Sequence, residues 1–191
     1  MSLASVTAIK SWSGPTNGRF HIDFLGVRTD CGFFPGLNPA KPGRLKTSLP
    51  GVSELLVEYE ACALAASATP PGLGFSVLEI GASWGVWTAR GAALGRALGL
   101  PVRTVAIEAQ PAFIEMMRRH YLTNGMNGGC HRIVPAVVSA SSAEHVWFRY
   151  EGRGDVRGRV AADAWVALNA GNPPATTPDW VSLPCRDGSW V

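Results

Sequence analysis

The sequence predicts an α/β fold: a doubly wound sheet, built strand-helix-strand-helix-strand in parallel, with a small N-terminal strand-and-helix extension. Three observations carry this. Phe75 to Ile80 is a short run of mostly apolar residues, as in a strand covered on both faces. A glycine-bracketed turn follows it, Gly81-Ala82-Ser83-Trp84-Gly85, and then an alanine-rich run from Val86 to Leu98 at helical spacing. A second apolar run, Val102 to Ile107, ends on an acid, Glu108, just before the helix start marked by Pro111.

Taken in order, residues 1–19 carry the turn signals Ser13-Gly14-Pro15 and Asn17-Gly18 and read as a loose lead-in. Phe20, Ile22 and Phe24 alternate with His21 and Asp23, the pattern of a half-buried strand with His21 on the solvated side. Gly26 turns the chain toward a second strand, Val27 to Cys31. Gly32 to Pro50 is rich in proline and glycine. It reads as a solvated basic loop in which Lys41, Arg44 and Lys46 could alternatively touch an anionic acceptor. Residues 1–50 thus form an N-terminal extension and 51–191 the main domain.

Ser53 is placed to cap a helix from Glu54 to Ser67, with Leu55, Leu56, Tyr59 and Cys62 as its apolar face and Glu58 and Glu60 as surface charges. The helix from Val86 stops at Gly99, a left-handed cap, with Pro101 beyond; Ala89, Ala93 and Ala97 form a small-residue stripe for packing on the sheet. In the next helix Phe113, Met117 and Tyr121 share a face. His120 falls in the last turn, where a cation suits the dipole, and Asn124-Gly125 ends the element. Arg132 to Ser139 reads as a third strand. Pro135 inside it predicts an edge position, because proline cannot donate to a ladder. Val146, Phe148 and Tyr150 alternate as a further strand, Ala161 to Leu168 reads as a short helix, and Trp180 to Cys185 as a last strand.

Composition bounds the function. The chain has 191 residues, 47% hydrophobic and 16% charged, which suits one globular domain with its own core. A net charge of +3 with scattered arginines makes no case for nucleic acid. Cys31, Cys62, Cys130 and Cys185 lie far apart with no C-x-x-C, so neither a metal site nor a redox pair is expected, and reduced thiols in a cytoplasmic protein are the simplest account. Met1 to Lys10 has no signal-peptide core, and no apolar run reaches membrane-spanning length.

The glycine turn admits three chemistries. A dinucleotide fingerprint, G-x-G-x-x-G, fails because Ser83 and Val86 stand at its second and third glycines, where a pyrophosphate needs close backbone approach. A nucleophile elbow, G-x-S-x-G, matches the spelling with Ser83. It then needs an acid and a later histidine, and only Glu108 with His120, His131 or His145 follows in that order, with no HGGG-type oxyanion loop upstream. S-adenosylmethionine (SAM) has no pyrophosphate and tolerates the missing glycine. It carries an amine and carboxylate for the first loop, and a ribose diol for an acid at the end of the next strand. Glu108, about 20 residues beyond Gly85, is such an acid. A carboxylate that only caps the helix from Pro111 is the bland alternative.

Four ordered blocks then give a resemblance: Val77-Leu78-Glu79-Ile80-Gly81-Ala82-Ser83-Trp84-Gly85, Val105-Ala106-Ile107-Glu108-Ala109, His120-Tyr121-Leu122-Thr123-Asn124-Gly125 and Pro135-Ala136-Val137-Val138. Over residues 50–150 the chain resembles FkbM-type SAM-dependent methyltransferases, with a weaker echo in Phe24 to Thr29. The resemblance implies a Rossmann-like class I methyltransferase sheet, three layers deep, and methyl transfer, mostly to oxygen on small or glycan-like acceptors. It implies that Gly81, Ala82, Ser83 and Gly85, helped by Glu79, hold the methionine part of SAM. Glu108 would hold the ribose, and Ala109, Gln110, Ala136 and Val137 would flank the adenine. No general base is identified; His120, His131 and His145 read as structural or exposed. The family continues through a Leu-Asp segment and an Asp-x-Glu-Gly strand that this chain lacks. The competing expectation is therefore a truncated, non-catalytic SAM-binding or interaction module, self-associating through an unpaired sheet edge, with the serine hydrolase as the third reading.

Overall fold

A computed structural model describes residues 4–70, 72–138, 145–149, 166–167 and 180–186, the last three stretches by their backbone. In chain order the elements are α1 (Ala4–Thr7), β1 (Ser13–Thr16), β2 (Phe20–Ile22), β3 (Arg28–Asp30), β4 (Gly43–Lys46), α2 (Glu54–Ser67), β5 (Phe75–Ile80), α3 (Val86–Ala97), β6 (Val102–Glu108), α4 (Pro111–Thr123), β7 (His131–Pro135), β8 (Val137–Val138), β9 (His145–Arg149), β10 (Val166–Ala167) and β11 (Trp180–Arg186). The centre is a parallel sheet in the order β5-β6-β7, joined by α3 and α4 in a Rossmann-like α/β arrangement, as the apolar runs predict.

Pairing of Phe75 with Val102 and of Thr104 with His131 sets the register. It places Phe75, Val77, Glu79, Val102, Thr104, Ala106 and Ile133 on one face. There α3 lies close because Gly91 and Gly95 face the sheet: a Cβ on Gly91 would meet Val77 at 2.7 Å, and one on Gly95 would meet Val102 at 2.4 Å. The predicted stripe of Ala89, Ala93 and Ala97 is corrected here. Ala89 is buried, but Ala97 faces solvent, and the two glycines give the close approach. Met117 and Tyr121 of α4 pack with Ala89, Ala92 and Ala106, while α2 joins Leu56, Tyr59 and Ala63 to Phe75 and Leu94.

The N-terminal residues are more ordered than their composition predicts. The lead-in contains α1 and β1, and the basic loop contains β4, which pairs antiparallel with β1. β2 and β3 form the expected hairpin. Ser53 precedes α2 without capping it: its hydroxyl donates to the Gly51 carbonyl at 3.0 Å, and no side chain caps the helix. Glu60, expected at the surface, is 7% exposed and accepts from the Ser5 and Val6 N–H groups at 3.2 and 2.7 Å.

β7 is an edge of the three-stranded sheet, as Pro135 requires, but the chain continues through Ala136 into β8. β8 pairs in parallel with β11, which pairs antiparallel with β9 and, through β9, reaches β10. The C-terminal strands therefore attach through the continuation of β7. Among the described residues no strand pairs with the outer side of β5. Val166 and Ala167 are strand rather than the expected helix; the rest of that segment, like Tyr150, lies outside the described residues.

Candidate functional site

The loop after β5 sits over the end of β6, because the N–H groups of Gly81 and Ala82 both donate to the Ile107 carbonyl, at 2.9 and 3.0 Å. Gly81, Ser83 and Gly85 have φ of 68°, 51° and 75°. The two glycines serve different ends. A Cβ on Gly81 would meet nothing within 4 Å, so open space lies above it, whereas one on Gly85 would strike the Tyr121 ring at 2.7 Å. Ser83 is the only described non-glycine residue with positive φ, a costly conformation that persists where surroundings impose it, often at binding sites. Here Glu108 imposes it.

Glu108 is 6% exposed. Its Oε2 accepts from the Ser83 N–H and its Oε1 from the Gln110 N–H, both at 2.8 Å. Its backbone carbonyl accepts from the Ala136 N–H at 3.2 Å. One carboxylate thus gathers the first loop, the start of α4 and the end of β7. Gly81, Ala82, Ser83, Glu108, Ala109, Gln110, Ala136 and Val137 come together at one end of the sheet. Each carboxylate oxygen keeps a lone pair after these bonds.

Glu79 is turned away from that end. Its Oε1 accepts from the Trp87 N–H at 3.1 Å, and its Oε2 from the Thr88 N–H at 2.8 Å and the Thr88 hydroxyl at 3.0 Å. A carboxylate in the first turn of α3 satisfies orphan donors and meets the positive end of the helix dipole. Burial raises its pKa, against the pull of the Thr88 and Trp87 donors. The Tyr121 hydroxyl extends the chain by donating to the Thr88 hydroxyl at 2.8 Å.

The loop is also held from the other side by residues the sequence did not single out as a group. His120, in the last turn of α4 where a cation would suit the dipole, is 1% exposed, and burial pushes its pKa below the ordinary value. Its Nδ1 lies 2.9 Å from the Trp84 carbonyl, which can only accept, so Nδ1 carries the proton. Nε2, 3.2 Å from Thr29 Oγ1, then accepts from that hydroxyl in the neutral ring. The Trp84 ring packs against Phe33, Phe34 and Phe113. Asp23 binds the N–H groups of Leu25 and Val27, the Tyr59 hydroxyl at 2.7 Å and Arg90 Nε at 3.0 Å. The Arg90 guanidinium lies over both the Tyr59 and Trp87 rings. Burial, then the Asp23 charge, raises the Tyr59 pKa far above its usual range. The only sequence signal for this clasp was Asp23 in its alternating strand, which by itself reads as solvated.

Among the described residues no triad forms around Ser83. Both nitrogens of His120 are engaged with Trp84 and Thr29, and Nδ1 of His131 lies 3.1 Å from the Thr104 hydroxyl. The side chain of His145 lies outside the described residues. Among the described residues no group of three His, Cys, Asp or Glu side chains could hold a metal ion, and no helix is long and apolar enough to cross a membrane.

No protein-family model matches the chain. A protein of Jannaschia sp. (strain CCS1), provisionally named a methyltransferase, is 25% identical over 137 residues, or 71% of this chain and 49% of that protein. The chain spans about half the length of this curated relative.

Proposed function

We propose that the chain binds S-adenosylmethionine at the β5-β6 end of its sheet and belongs to a methyltransferase acting on oxygen of a small or glycan-like acceptor. The observation that carries the reading is the Ser83–Glu108 bond, which couples a left-handed loop to a strand-end acid. The named relative supports methyl transfer in general, and the FkbM-like blocks support the cofactor and the acceptor class.

The residues present fit the cofactor. The open space above Gly81 admits the methionine part against the Gly81 to Ser83 backbone. The remaining lone pairs of Glu108 suit two ribose hydroxyls; Ala109, Ala136 and Val137 offer small or apolar flanks for the adenine, and Gln110 adds a polar carboxamide beside them. SAM supplies an activated methyl group when bound. The chain's own contribution is positioning, which is most of what a direct displacement needs. In this reading Glu79 acts through the loop: by locking the first turn of α3 it fixes Gly85 and the backbone preceding it. His120 does the same from the Trp84 side and, doubly bonded and neutral, is not free to take a proton from the acceptor.

Titration calorimetry with SAM and, separately, with NAD tests the reading. Saturable heat with SAM is expected. Heat with NAD and none with SAM would reject it.

A further inference from the structure

Three successive residues of β3 each reach α4. Arg28 meets the Asn124 side chain through its N–H and its carbonyl, both at 2.9 Å, and the Asp30 carboxylate meets Arg119 Nη2 at 2.7 Å. Between them Thr29, 9% exposed, turns its hydroxyl to His120 Nε2 at 3.2 Å. The two flanking contacts lie at the surface, where an ion pair such as Asp30–Arg119 is worth little. The Thr29 contact is buried, and pairing of Thr29 with His21 in the hairpin fixes its place.

The use of this hydroxyl follows from counting protons. Burial keeps the His120 ring neutral, and the opposed charges of Asp23 and Arg90, paired with each other, do not reverse this. A neutral imidazole has one N–H. The Trp84 carbonyl, 2.9 Å from Nδ1, requires it on Nδ1, whereas a neutral histidine in water prefers it on Nε2. With the proton on Nδ1, the Nε2 lone pair points into the interior and needs a donor, since a bare buried acceptor carries a desolvation penalty. Thr29 is that donor. Without it the balance moves to Nε2–H, and the lone pairs of Nδ1 and the Trp84 carbonyl then face each other at hydrogen-bond distance. The bond made by one ring nitrogen thus decides what the other can hold.

We propose that Thr29 is a positioning residue for the Gly81 to Gly85 loop: its hydroxyl fixes the Nδ1–H tautomer of His120, and His120 in turn fixes the Trp84 carbonyl. The loop is then gripped at two neighbouring residues from opposite sides, at the Ser83 N–H by Glu108 and at the Trp84 carbonyl by His120, just before the left-handed Gly85 that opens α3. The tautomer does not depend on the ligand; only the effect on SAM rests on the proposed function.

Long-range 1H–15N correlation of the ring nitrogens at about pH 8, where an ordinary imidazole is neutral, reads the tautomer directly. In the unmodified chain His120 is expected as Nδ1–H, with Nε2 accepting. Thr29→Val keeps the β-branched shape and removes the hydroxyl. The proton should move to Nε2, and SAM affinity should fall by about 2- to 10-fold, the worth of one hydrogen bond. Thr29→Ser should restore both. An unmodified chain with His120 as Nε2–H overturns the proposal, and that measurement needs no variant to fold. So does a Thr29→Val protein that keeps Nδ1–H, or one whose tautomer moves while its SAM affinity holds. An unmodified chain that takes up no SAM would count against the proposed function instead, and the ring nitrogens would still decide whether Thr29 sets the tautomer.

Discussion

Both carboxylate oxygens of Glu108 are engaged by backbone N–H groups, so its removal acts on stability as well as on ligand. Glu108→Ala leaves the Ser83 and Gln110 donors unpaired in a largely buried setting. It should lower unfolding free energy by about 1–3 kcal/mol in a urea titration. SAM affinity should fall by about 2–4 kcal/mol as two charge-assisted bonds are lost. Affinity that drops only in step with stability would mark Glu108 as a loop clamp alone. At His120 the prediction concerns pH. Burial lowers its folded pKa, while the unfolded imidazole returns to about 6.5. Between these values the unfolded chain holds the extra proton, so stability falls as pH drops below about 6.5 and the loss is complete once the folded value is passed. His131 is shifted in the same direction and adds to the effect. Glu79, raised by burial, works the other way: the folded chain takes up its proton first as pH falls, in a window above its ordinary 4.5. His120→Asn should flatten the decline between about pH 7.5 and about pH 5.5, measured by denaturation at each. The site's acids and glycines were legible in the sequence because their spacing after two apolar runs is distinctive. What each carboxylate binds was not legible. That depends on the left-handed turn at Ser83, which brings one N–H onto Glu108, and no periodicity encodes it.

At the level of elements, α3 meets the sheet through glycine, and this can be tested directly. Gly95→Ala adds a methyl 2.4 Å from Val102 and 3.3 Å from Phe75. Overpacking of this kind costs about 1–3 kcal/mol. The gain in helix propensity returns up to about 1 kcal/mol. A net loss of about 1 kcal/mol is expected by chemical denaturation; a gain would mean that Val102 moves aside freely. The bounds of α2, β5, β6 and α4 were legible because each combines a clear apolar period with a terminal signal, such as Pro111 or Asn124-Gly125. β1 and β4 were not. Each is four residues long with no alternation, and they exist because Ser13 to Thr16 and Gly43 to Lys46 find each other across the intervening loop. The four-residue α1 likewise depends on Glu60, more than fifty positions away. Such elements are products of tertiary contact, and local propensity carries no trace of them.

Over the whole molecule, the N-terminal extension serves as scaffold for the loop. Asn124 at the end of α4 imitates a strand partner for β3: its Oδ1 accepts from the Arg28 N–H and its Nδ2 donates to the Arg28 carbonyl, both at 2.9 Å. Asn124→Ala removes both bonds and a third to the His120 carbonyl. Amide exchange in β2 and β3 should accelerate by at least tenfold, while exchange in β5 and β6 changes little. Uniform acceleration across all four strands would instead mean that the extension and the sheet open as one unit. The Arg28–Asn124 contact joins residues 96 positions apart. On the ribosome the extension is made first and cannot dock until α4 has emerged. Val27 and Leu25, which pack with Met117 and Tyr121 in the finished molecule, must therefore wait in water until α4 is made. A chain stalled before Asn124 would present these side chains to chaperones, and the choice between folding and capture would be made in that interval.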